Sequence, residues 1–143
     1  MPAIPYIALG ITAAGGVMSA QAQADAGEAE KKANYANARV IEIDAAKSEA
    51  LSRLETKKTL ATQRALYAKA GVDITSGSPL LIMTDTAEEG ERNAMEIRSA
   101  GKREAKLMRY YGRQAKSSAN TQAGATLLTT MGNTANQYYS WNN

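Results

Sequence analysis

The chain contains no cysteine, no histidine and no phenylalanine, and only three of its 143 residues are proline. Without cysteine, disulfides and thiolate metal sites are excluded, and the redox compartment cannot be inferred. Without histidine, a Ser-His-Asp triad, a histidine-bearing zinc site and a histidine pH switch are excluded as well. One Trp and seven Tyr supply all the aromatic rings, so the large side chains that fill a wide core are scarce. Charge is also missing from both ends. All 17 basic and 14 acidic residues lie between Asp25 and Lys116.

What remains is rich in helix formers. Ala, Glu, Lys, Arg, Gln, Leu and Met crowd the charged middle, where β-branched residues are few, so the composition predicts an all-α chain held by thin helix-to-helix packing. The clearest punctuation is Ala70-Gly71-Val72-Asp73-Ile74-Thr75-Ser76-Gly77-Ser78-Pro79. Gly71 suits the left-handed residue after a helix, Ser78 an N-cap and Pro79 the first helical position. One helix is expected to end near 70 and the next to start near 79, with Gly71, Gly77, Ser78 and Pro79 as the turn residues.

Before the turn, no proline interrupts from Val17 to Ala70. A first helix of that span measures roughly 75–80 Å, too long for a compact globule of this size. Its candidate packing stripe is Ala22, Ala26, Ala29, Ala33, Ala36, Val40 and Ile43, continued less regularly by Ala46, Ala50, Leu54, Ala61, Ala65 and Ala68. After the turn the period is cleaner. Met83, Ala87, Gly90, Ala94, Ile97, Gly101, Ala105, Met108, Gly112, Ala115, Ala119 and Ala123 average about 3.6 residues per step, the pitch of a straight helix. Of these, Ala87 to Ala115 form the expected helix–helix seam. Gly90, Gly101 and Gly112 fall 11 residues apart, and each costs about 1 kcal/mol against alanine in a helix. Three such costs on one line point to close backbone approach by another helix, or else to a loosened helix.

Two long helices with a short connection predict an extended antiparallel helical hairpin. Folding about Thr75 sets residue n beside residue 150 minus n, which places Asn34 beside Lys116 and brings the two uncharged, Ala/Gly-rich ends together. An Ala/Gly seam buries little area at about 25 cal/mol per Å², so hairpins are expected to assemble side by side with copies of themselves, as a ring or bundle. The divisions read from the chain are 1–20, an apolar segment; 21–70, the first helix; 71–78, the turn; 79–116, the second helix; and 117–143, an uncharged segment with an aromatic tail.

Three features bear on function. The apolar start is charge-free for about the length that spans a bilayer, but its Ala, Gly and Ser make it a marginal span. Ala20-Gln21-Ala22 resembles a signal cleavage site, and the absence of Lys or Arg before the apolar run argues against one. At the other end Tyr138, Tyr139 and Trp141 follow a weakly apolar stretch, a pattern suited to a membrane–water boundary or a protein interface. Ile4, Ile7, Leu9, Ile11 and Val17 together with Leu127, Leu128, Met131, Tyr138, Tyr139 and Trp141 make a candidate membrane-inserting or docking end. Separately, Lys102, Lys106, Arg109, Arg113 and Lys116 follow 4-3-4-3 spacing, one stripe on a helix. That stripe either faces phosphate, of DNA or of lipid, or is a solvated face. Glu88, Glu89 and Glu91 read as helix-dipole partners near the start of the second helix. No catalytic constellation, cofactor motif, metal site or small-molecule substrate site is legible.

The opening Ala3-Ile4-Pro5-Tyr6-Ile7-Ala8-Leu9-Gly10-Ile11-Thr12-Ala13-Ala14, the run Ser19-Ala20-Gln21-Ala22-Gln23-Ala24, the Gly71 to Pro79 turn and Leu127-Leu128-Thr129-Thr130-Met131-Gly132 before an aromatic tail resemble a small internal virion protein of short-tailed bacteriophages. The sequence shows no basic C-terminal extension of the kind such proteins carry, and nothing that extension does is carried over. The resemblance implies a DNA-ejection protein packed inside the capsid in a core near the portal. It would leave ahead of the genome and help build a conduit through the host envelope, at the outer membrane or periplasm. Expected partners are copies of itself, other internal core or ejection proteins, the portal, genomic DNA and the host outer membrane. A purely structural core or portal-associated protein, docking on other proteins without entering lipid, is the alternative.

Overall fold

The computed structural model describes the backbone of residues 4–142 and the side chains of residues 14–140. It consists of two α-helices, α1 (Ile4–Lys69) and α2 (Gly77–Asn142), packed against each other as an antiparallel hairpin. The helices run on through both charge-free segments, since α1 starts within the apolar opening and α2 continues past Lys116 to Asn142.

Two backbone devices end α1. Gly71 has φ +69°, and the amides of Gly71 and Val72 donate to the carbonyls of Ala68 (3.2 Å) and Tyr67 (3.0 Å), the paired bonds of a glycine-terminated helix. The connection is then organised by Asp73. Its Oδ1 accepts from the Thr75 amide (2.8 Å) and hydroxyl (2.7 Å), and its Oδ2 from the Ser76 hydroxyl (3.2 Å). Those donors hold the Asp73 carboxyl below its ordinary range. Gly77, with φ +66°, opens α2. The expected start at Pro79 with Ser78 as cap is therefore two residues late, because Asp73 already closes the turn through its side chain.

That difference resets the register. Facing each seam glycine across the hairpin are Thr130 for Gly16, Ala119 for Gly27, Asn34 for Gly112, Ala45 for Gly101 and Thr56 for Gly90. In each pair residue n meets residue 146 minus n, because the connection is centred on Asp73 and not on Thr75. Asn34 thus lies beside Gly112 and not beside Lys116.

The chain divides into two units, residues 37–107 and the paired ends, residues 1–36 with 108–143. In the 37–107 unit, Ala38, Met83, Ala94 and Ala105 are the buried apolar residues, and no large side chain is fully enclosed. Polar groups fill the edges. Glu49, only 5% exposed at its side chain, accepts from Arg53 (2.9 Å) and Arg98 (2.8 Å), and Arg53 also forks onto Glu91 at 2.6 and 3.1 Å. In the paired ends, Ala20 and Ala123 are buried, Gly27 abuts Ala119, and Lys116 Nζ lies 2.6 Å from Glu28.

The expected stripes fare differently. On α2, Gly90, Ala94, Gly101, Ala105 and Gly112 are buried and Ile97, Met108 and Ala115 half-buried, but Ala87 is exposed and Thr86 holds the seam instead by bonding Gln63 at 3.1 Å. On α1 the expected stripe from Ala22 to Ala68 is exposed throughout. The packed face runs through Gly16, Ala20, Gly27, Ala38, Glu49 and Thr56, about half a turn away. Counting alanines misplaced it because the true face carries glycine, glutamate and threonine.

Candidate functional site

The charge-free parts of the two helices meet in the unit formed by the paired ends. Gly16 abuts Thr130, and Thr126 and Gln23 bond through their side chains at 3.2 Å. Beyond that point Val17, Leu127, Thr130, Met131, Thr134, Ala135, Tyr138 and Tyr139 line an open cleft of about 500 Å³.

Its walls are drier than their composition suggests. The Thr130 hydroxyl donates to the Thr126 carbonyl (2.8 Å) and that of Thr134 to the Thr130 carbonyl (2.7 Å), so each hydroxyl is satisfied on its own helix. Both threonines are left to offer their methyls. Tyr138 and Tyr139 stand edge to face, 6.3 Å between ring centres, each half or more exposed. Leu128 and Met131 are about 70% exposed, at 73% and 69%. The exposed lining is mostly apolar, and neither contributing segment carries a charged side chain.

Of the residues expected at this end, the structure brings together Val17, Leu127, Met131, Tyr138 and Tyr139, and leaves Leu128 exposed beside them. The side chains of Ile4, Ile7, Leu9, Ile11 and Trp141 lie outside the described residues. Thr130 and Thr134 were not foreseen. Their spacing from Leu127, Met131 and Tyr138 placed them on the same face, but a hydroxyl reads as polar until its bond to the preceding turn is seen. Among the described residues, no helix is long and apolar enough to cross a membrane.

The basic stripe is divided in its surroundings. Lys102 and Lys106, in the 37–107 unit, are exposed. In the paired ends Arg113 is exposed, Arg109 is half-buried and engaged with a neighbouring group, and Lys116 is bound to Glu28. The Lys116 ammonium holds the Glu28 carboxyl below its usual range. The stripe follows seam spacing one residue out of phase, so its members flank the packed face. The acidic cluster is likewise reassigned. The first turn of α2 holds no acid, Glu91 is paired with Arg53, which lowers its pKa, and Glu88 accepts from Arg92 at 3.2 Å. No group of three or more His, Cys, Asp or Glu able to hold a metal ion occurs among the described residues.

Comparison with protein-family models, with curated proteins and with solved structures finds no match for this chain.

Proposed function

We propose that this chain is an internal virion protein of short-tailed phages, packed as a self-assembled core near the portal, that helps form a conduit through the host envelope during genome ejection. The proposal starts from the sequence resemblance. The observation that carries it furthest is the apolar cleft, built where the two charge-free segments come together. A cleft formed jointly by both ends suits an assembly in which several copies cover one another's polar groups and present a common apolar surface to lipid. Other core proteins and the portal are the proposed neighbours in the particle, and the outer membrane or periplasm the proposed site after ejection.

Leakage of dye-loaded liposomes tests this reading. Purified protein should bind the vesicles and release dye, and absence of both binding and leakage at every pH and lipid composition tried would remove insertion from the proposal.

A second reading docks the same cleft on protein, since its exposed Tyr138, Tyr139 and Met131 suit a protein interface as well as a lipid one. It predicts that the protein stays with the emptied particle after infection, whereas the first predicts recovery from host membranes. Contact of the basic stripe with genomic DNA is a separate proposal. It predicts affinity falling steeply with salt, and reversal of Lys106 and Arg109 to Glu should abolish binding.

A further inference from the structure

In the 37–107 unit the hairpin has two long sides, each formed by α1 and α2 together. The Arg53–Glu91 and Arg98–Glu49 pairs mark one of them, and the Gln63–Thr86 bond marks the other. Taking about 100° per residue from the seam residues Glu49, Gly90 and Gly101, the exposed Arg39, Lys57, Arg64, Lys102 and Lys106 fall on the first side. Its acids are already engaged: Glu49 and Glu91 with arginines, and Glu42 with a neighbouring group. The exposed Asp44, Glu55, Asp85, Glu89, Glu96 and Glu104 fall on the second side, where no Lys or Arg lies among the described residues. Lys47, Lys58, Lys69, Glu88, Arg92 and Arg103 point within about 20° of directly away from the seam and belong to neither side. Asp44 is loosely paired with Lys47 at 3.6 Å, and Arg92 with Glu88 at 3.2 Å. One side of the hairpin is therefore basic and the other acidic.

The sides also differ in shape. The basic side exposes Ala46, Ala50, Ala61 and Ala68, part of the alanine stripe that the hairpin leaves uncovered. The acidic side exposes Leu66, Ile82 and Leu107. A partner of one charge sign would cover one side and leave the other, whereas a second copy of this chain carries both. A two-fold contact between copies is isologous and would set like charge against like.

We propose that copies of this chain pack side by side, pointing the same way and at the same height, with the basic side of one against the acidic side of the next. Residues two apart on a helix point to opposite sides yet differ by only about 3 Å in height. In this arrangement each helix lies beside its own counterpart, so Lys57 comes level with Glu55 of the next copy. Lys102 and Lys106 straddle its Glu104, and Ala68 comes level with its Leu66. Because the two sides differ, the contact is heterologous, and repeating it builds a ring or an open array and not a closed dimer. The inference rests on reading the chain as a self-assembling hairpin and is independent of where that assembly acts.

The absence of native cysteine makes the test direct. Ser48 faces the acidic side and Ala50 the basic side, both exposed, and residues two apart on one helix do not face each other. Ser48→Cys with Ala50→Cys in one chain should give, on oxidation without lipid, a ladder of linked species longer than dimers. Each single variant should stay unlinked, and a mixture of the two should stop at dimers. In parallel, Lys57→Glu, Lys102→Glu and Lys106→Glu together should weaken association about tenfold without loss of helicity by circular dichroism. Adding Glu55→Lys and Glu104→Lys should restore it. If sedimentation shows oligomers but the double-cysteine chain does not link beyond dimers, or the charge swap fails to restore association, this interface is wrong while self-assembly stands. If the native chain remains monomeric at every concentration, self-assembly falls with it.

Discussion

At the scale of single residues, glycine is decisive only where another backbone lies against it. A Cβ added at Gly101 runs directly into the Cβ of Ala45, which has no rotamer to escape to. At Gly124, also inside α2, it meets nothing within 4 Å. The same substitution should therefore change sign with position. Gly101→Ala gains helix propensity but forces the helices apart, for a net loss of about 1–3 kcal/mol. Gly124→Ala should gain about 0.5–1 kcal/mol. Urea midpoints of the two variants check this, and equal stabilisation in both would show that Gly101 is not a contact point. The 11-residue spacing of Gly90, Gly101 and Gly112 announced this seam in the sequence. Their partners Thr56, Ala45 and Asn34 were not legible, because threonine, alanine and asparagine carry no common signal.

At the scale of elements, polar side chains hold what the thin apolar core does not. Glu49 is the buried member of the Arg98–Glu49–Arg53–Glu91 network, and Glu49→Ala would leave two guanidinium groups without that acceptor. The expected cost is about 1–3 kcal/mol, measured by thermal or urea unfolding, whereas an exposed pair such as Lys47–Asp44 should cost well under 1 kcal/mol when broken. Acid should act through the carboxyls that folding makes more acidic. Glu28, Glu91 and Asp73 all have lowered pKa values, from Lys116, Arg53 and Thr75 respectively. The unfolded chain then binds more protons than the folded one in acid. The stabilisation they contribute is complete above the ordinary carboxylate range, near pH 4, and is lost as pH falls through the lowered folded values. Melting temperature should be nearly constant from neutral pH to about pH 5 and drop below about pH 4. Asp73→Asn should shrink the part of that drop due to the turn.

For the molecule as a whole, the proposed activity concentrates at the charge-free end and separates from the stability of the hairpin. Removing residues 1–20 deletes Val17 from the cleft but leaves the contacts of the 37–107 unit intact. Membrane association should then be abolished while circular dichroism still reports a predominantly helical chain. Vesicle flotation of full-length and shortened protein reads this, and undiminished flotation after truncation would move the lipid-binding surface elsewhere.

Helix type, the place of the turn and the meeting of the neutral ends follow from local chemistry: helix formers without interruption, Gly71 where a left-handed residue ends a helix, and a connection too short to do anything but double back. These are legible because each depends on neighbours in the chain. Tertiary structure decided which face of α1 is inside. Alanine marks a helix surface as small without saying whether it is covered, and the choice went to the face whose glycines and polar side chains match α2. It also decided the register, since Asp73 closes the turn two residues before Pro79, and it turned Thr130 and Thr134 into apolar lining by satisfying their hydroxyls on the preceding turn. Each of these outcomes depends on a partner that sequence spacing does not name.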